Sequence, residues 1–134
     1  RGKVCSDALL DELLAELRAT EWPGENSRER KTVRTQGYLI LSKPGGDVQP
    51  GSSKSRLAAA KIARHARLWD LCDELMREAD PEFAQRWTSV ALTKQFTGSP
   101  HIDHDNTGPF YGVAVGEFTG GAICVEAGPR LRVG

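Results

Sequence analysis

Between Ser6 and about Thr20 the residues Leu9, Leu10, Leu13, Leu14 and Leu17 recur three and four apart, and Asp11, Glu12 and Glu16 fall between them. That period predicts an amphipathic helix, with Ser6 or Asp7 at its N-cap. From Glu21 to Gln36 the period vanishes among Pro23, Gly24 and charges of both signs, which predicts a surface loop. Tyr38-Leu39-Ile40-Leu41, following Gly37, has the character of a strand. The stretch from Pro44 to Ser53, rich in Pro, Gly and Ser, predicts a flexible connection. A second helical pattern runs from about Ser55 to Glu78. Ala58, Ile62, His65, Trp69, Cys72 and Met76 share one stripe there, broadened by Leu68, Leu71 and Leu75, and a break is expected near the middle.

After Asp80-Pro81 the pattern switches to strands, expected at Trp87 to Phe96, Phe110 to Phe118 and Ala122 to Glu126, with one more starting near Leu131. Gly98-Ser99-Pro100, Asn106-Thr107-Gly108-Pro109 and Thr119-Gly120-Gly121 punctuate them as turns. The expected fold is α+β, with amphipathic helices packed on an antiparallel sheet. A single domain is expected over 1–134, with residues 1–80 mainly helical support plus one strand, and residues 87–134 rich in β-structure.

Composition narrows the function. No apolar run approaches the roughly 20 residues that cross a bilayer, which excludes a helical membrane span. Eighteen basic residues balance eighteen acidic ones, so the chain lacks the overall positive charge that drives phosphate-backbone binding. Charge is nevertheless segregated: Lys54, Arg56, Lys61, Arg64 and Arg67 precede Asp70, Asp73, Glu74, Glu78 and Asp80. The basic half is read first as a solvated face; a nucleic-acid role is disfavoured, since no aromatic interleaving or known motif accompanies the charges. Cys5, Cys72 and Cys124 form no C-x-x-C pair, which points to a reducing intracellular compartment. The first residue is Arg1 and not Met, which leaves room for an organellar presequence removed upstream.

The densest polar cluster is His101-Ile102-Asp103-His104-Asp105-Asn106. In an extended segment side chains two apart share a face, so His101 and Asp103 project together and can take adjacent positions on one metal ion. One further histidine would complete the two-histidine, one-carboxylate face of non-haem Fe(II) sites. The alternative is a hydrated loop whose Asp and Asn residues cap turns.

The surroundings of that triplet carry a resemblance. Thr88 to Glu126 resembles the first half of the catalytic core of the Fe(II)- and 2-oxoglutarate-dependent oxygenases, particularly their algal and protist-type members. The matching features are a strand bearing Lys94 and Phe96, the H-x-D of His101 and Asp103, Asn106 before Gly108-Pro109, the strand Phe110 to Val115, and the turn Gly116 to Gly121. The resemblance implies an incomplete double-stranded β-helix, a jelly-roll-like sheet, backed by the helices. It implies His101 and Asp103 as iron ligands, Fe(II) and 2-oxoglutarate as cofactors, and hydroxylation of a substrate by a metal that activates oxygen. Thr93, Asn106 and Tyr111 are the polar candidates for the cosubstrate pocket.

Two departures qualify what the resemblance implies. Beyond the adjacent His104, which points away from His101, no histidine follows, and Arg130 and Arg132 stand before the position of the family's carboxylate-binding base. The four or five expected strands also fall short of the about eight in a jelly roll, leaving a sheet edge and apolar surface to be covered. The expectation is therefore a C-terminal segment that completes core and site, or a protein partner that covers the sheet. With the former the chain is an oxygenase; with the latter it is a catalytically silent scaffold or linker subunit.

Overall fold

A computed structural model describes residues 4–24, 34–45, 49–98, 101 and 108–121. The elements follow the order α1 (Asp7–Ala19), β1 (Gly37–Ser42), α2 (Ser53–Arg64), α3 (Ala66–Ala79), α4 (Pro81–Ala84) and β2 (Ser89–Lys94). The two strands pair antiparallel, with Leu39 opposite Leu92 and Leu41 opposite Val90. Cross-strand partners project to the same side of a sheet, so these four side chains form one apolar face. That face meets α1 and α3, and the shared core contains Leu13, Leu39, Leu41, Leu68, Leu71, Cys72, Leu75, Trp87 and Leu92.

The helical period holds over Leu9 to Leu17: Leu13 is buried, and Leu9, Leu10 and Leu17 pack around the core. Ser6 occupies the N-cap position of α1, where its carbonyl accepts from Leu10 N–H at 3.1 Å but its side chain makes no cap bond. Its backbone N–H and its hydroxyl both donate to the Glu78 carboxylate, near the far end of α3. Arg67, at the start of α3, pairs with Glu12 on α1. These two links, at opposite ends of α3 and at the start and middle of α1, set the helices antiparallel.

The expected break in the second helical pattern falls at His65. Its N–H is shared between the carbonyls of Lys61 and Ile62, and its carbonyl accepts from Trp69 N–H to begin the next helix. The break redirects the apolar stripe, since α2 packs on β1 and α3 packs on α1. His65 is half-buried at this junction, where burial, then Arg64 and Lys61, hold its imidazole below the ordinary histidine range. Asp80 caps α4 by accepting from Phe83 N–H at 2.9 Å, with Pro81 in the first turn.

The ribbon is locked at both ends. Near its start, Trp87 stacks on Trp69 with ring centroids 4.7 Å apart, donates to Asp73 and lies under the Lys43 ammonium. At the other end the buried Thr35 hydroxyl lies 2.6 Å from the carbonyls of both Gly37 and Lys94. Gly37 is required by contact: a Cβ there would stand 2.5 Å from the Trp22 ring.

The strand expected over Phe110 to Phe118 is not formed. Residues 108–121 run without regular structure, bending at Gly108, Gly116, Glu117 and Thr119, with Gly116, Gly120 and Gly121 at positive φ. Alternating residues make a strand only when a neighbour takes up the backbone hydrogen bonds, and among the described residues β1 and β2 pair only with each other. The strands expected at 122–126 and from Leu131 lie outside the described residues. The architecture is thus a mixed one, four helices and a two-stranded antiparallel sheet among the described residues. No helix in them is long and apolar enough to cross a membrane.

Candidate functional site

The residues singled out by sequence fall on β2 and on the chain that follows it. Beyond Lys94 the antiparallel register continues to a bridge between Arg34 and Thr97, whose N–H donates to the Arg34 carbonyl at 3.0 Å. Gln95, within this extension, adopts φ 51°, a left-handed conformation that costs a non-glycine residue on the order of 1 kcal/mol. Thr35, Lys94 and Thr97 hold the ribbon on either side of it, so the chain leaves β2 along a defined path as far as Gly98.

His101 is exposed. Asp103 and Asn106, with His104 and Asp105, lie outside the described residues. Thr93 is exposed on β2, opposite Tyr38 and on the face away from Leu92. Lys94 points with Leu92 but is exposed, and Phe96 is half exposed just past it.

Tyr111 lies at a different corner. Its hydroxyl donates to the Asp80 carboxylate, and its ring tilts against Phe83 with centroids 5.1 Å apart. The hydrogen bond from Tyr111, then that from Phe83 N–H, holds the Asp80 carboxyl below the usual carboxylate range. Reciprocally, Asp80 raises the phenol above its usual value. In this arrangement Tyr111 fastens residues 108–121 to the α3–α4 corner. Sequence reasoning singled out Tyr111 for a pocket and passed over Asp80, whose only local signal was its place before Pro81.

Around this fastening the segment is largely uncovered. Phe110 is 69% exposed, Val113 59% and Phe118 58%, whereas Leu39 and Leu41 in the ribbon are 1% and 0%. Further along, Ala114, Val115 and Gly116 face Asp7, Leu10, Asp11 and Leu14 of α1 across an open depression of about 360 Å³.

The ligand chemistry of iron asks for three His or carboxylate groups on one face. Among the described residues no three His, Cys, Asp or Glu side chains gather as a metal site, and of the implied pair only His101 is described. The described side chains alone therefore do not make an iron centre. Cys72 offers no thiolate either, since burial pushes its thiol up to about 11. Comparison with known protein families, curated proteins and solved structures finds no match to this chain.

Proposed function

We propose that this chain carries a non-haem Fe(II)- and 2-oxoglutarate-dependent oxygenase-like domain, in which His101 and Asp103 supply two metal ligands from the segment following β2. The observation that carries the reading is the H-x-D at His101 and Asp103 placed just past an antiparallel strand that bears Lys94 and leads to Phe96, and is backed by helices. In this reading the ribbon is the start of a double-stranded β-helix of jelly-roll type, and Thr93 and Asn106 are candidates for the cosubstrate pocket, while Tyr111 is engaged by Asp80 at another corner. A distal histidine and an Arg or Lys, from a source other than these residues, complete the site, and the product is a hydroxylated substrate.

The test is an anaerobic titration of the full-length protein as it occurs in its natural source with Fe(II), with and without 2-oxoglutarate. Stoichiometric binding that is lost in His101→Ala and Asp103→Ala, with unchanged circular dichroism, is expected. Binding unaltered by both substitutions would overturn the assignment.

A second reading is favoured by the exposed Phe110, Val113 and Phe118. It makes the domain a catalytically silent scaffold whose apolar segment is covered by another protein. Here the wild-type chain takes up no Fe(II). In extracts of its natural source it elutes in an assembly that Phe110→Ser with Phe118→Ser dissolves. Elution of the wild-type chain at its own 14.6 kDa would remove this reading.

A further inference from the structure

Helix α2 contains no acidic residue and carries Lys54 in its first turn, where a positive charge opposes the helix dipole. Lys54, Arg56 and Arg64 are all exposed, and among the described residues none of them makes an ion pair. Between them Leu57 is 70% exposed, an apolar side chain in the middle of a cationic face. Arg56 and Arg64 are eight residues apart, which spans about 12 Å along the helix. The field of this face reaches its neighbours: Arg64 and Lys61 both add to the lowering of the His65 imidazole.

The complement lies on the same chain. Asp70 and Glu74 on α3 and Asp11 on α1 are exposed and likewise make no ion pair among the described residues. Within one molecule the two fields meet, among the described residues, at the Arg67–Glu12 pair next to the junction of α2 and α3. Lys54 and Arg56, at the start of α2, are fourteen or more residues upstream of Asp70.

We propose that α2 is a self-association surface, its Lys54, Arg56 and Arg64 meeting Asp70, Glu74 and Asp11 of a second copy around a two-fold axis, with Leu57 buried at the contact. A two-fold axis makes the basic-to-acidic contact twice, so a molecule of zero net charge satisfies both faces at once. A nucleic acid fits less well, because its phosphates would be attracted by α2 and repelled by the acids of α1 and α3 on the same molecule. Neither reading of the function uses this face.

The experiment is sedimentation equilibrium of the purified full chain at low and high salt. A dimer at about 50 mM NaCl that dissociates at about 500 mM is expected, as exposed ion pairs are screened. Lys54→Glu with Arg56→Glu and Arg64→Glu should weaken the dimer at least about tenfold at low salt, and so should Asp70→Lys with Glu74→Lys. Mixing these two variants in equal amounts should restore a dimer, since each then carries the charge the other lacks. The Phe110→Ser and Phe118→Ser substitutions should leave this dimer intact, which separates it from assembly through the 108–121 segment. A wild-type chain that stays monomeric at low salt would overturn the proposal, as would variants that remain dimeric or fail to pair on mixing. Binding of a duplex DNA probe to α2 without self-association would also overturn it. The salt series on the wild-type chain decides the matter even where a variant fails to fold.

Discussion

The helix-backed ribbon and the segment 108–121 are both rich in apolar residues, yet they behave oppositely. Leu39 and Leu41 lie between a partner strand and two helices and are almost fully buried, while Phe110, Val113 and Phe118 remain more than half exposed. The difference lies in the backbone. In β1 the peptide groups are taken up by β2, so the strand can place its side chains against α1 and α3. Residues 108–121 have no strand partner among the described residues, and their Tyr111 phenol donates to the Asp80 carboxylate. Apolar content alone does not bury a segment; hydrogen-bonded neighbours decide whether it can be buried.

The largest effect should come from emptying the core of the ribbon. Leu41→Ala removes a fully buried side chain between β2 and the helices and should cost about 2–5 kcal/mol, read as a lower urea midpoint. Phe118→Ala, in the other region, should leave that midpoint almost unmoved. Equal losses at the two sites would erase the contrast between them.

A smaller loss is expected at Gly37, where the ribbon touches the chain that follows α1. Gly37→Ala sets a Cβ against the Trp22 ring and should cost about 1–3 kcal/mol, with a red shift in tryptophan emission as Trp22 is displaced. An unchanged emission spectrum would show that the contact does not constrain the loop.

The smallest global effect, and the most local one, belongs to the Tyr111–Asp80 fastening. Tyr111→Phe should leave the urea midpoint in place while lowering the NMR backbone order parameters of residues 108–121. Its pH dependence has two limbs. The Asp80 carboxyl is lowered, so its contribution is full above the ordinary carboxylate value and is lost as pH falls through the folded value below it. The Tyr111 phenol is raised, so its contribution is full below the ordinary phenol value and is lost as pH rises through the folded value above it. The order parameters of the segment should therefore be flat through neutral pH and fall at both extremes in the wild type, and both limbs should vanish in Tyr111→Phe.

Legibility in the sequence followed the range of the interactions. The helix at Leu9 to Leu17 and the strand through Leu39 and Leu41 were readable because their periods reflect a single boundary between core and solvent. Near the break at His65 there was no glycine or proline to mark the site, and its place follows from α2 resting on the sheet and α3 on α1. Ser6 was readable as a cap position, but its tie to Glu78 joins groups distant in sequence and had no local signal. The same holds for Tyr111, whose partner Asp80 belongs to another element. At the candidate site, the H-x-D of His101 and Asp103 stands out in the sequence, and Asp103 lies outside the described residues. The described structure adds the course of the chain past β2 as far as Gly98, held by Thr35 and the Arg34–Thr97 bridge.

By itself, then, the sequence determined where amphipathic helices and the first ribbon form, since side-chain period and turn chemistry act over a few residues. It also set the separation of basic α2 from acidic α3. Tertiary structure decided which apolar runs become strands, because a backbone needs a hydrogen-bonding neighbour brought from elsewhere in the chain. Phe110 to Phe118 has the alternation but no such neighbour among the described residues, and Leu39 to Leu41 has both.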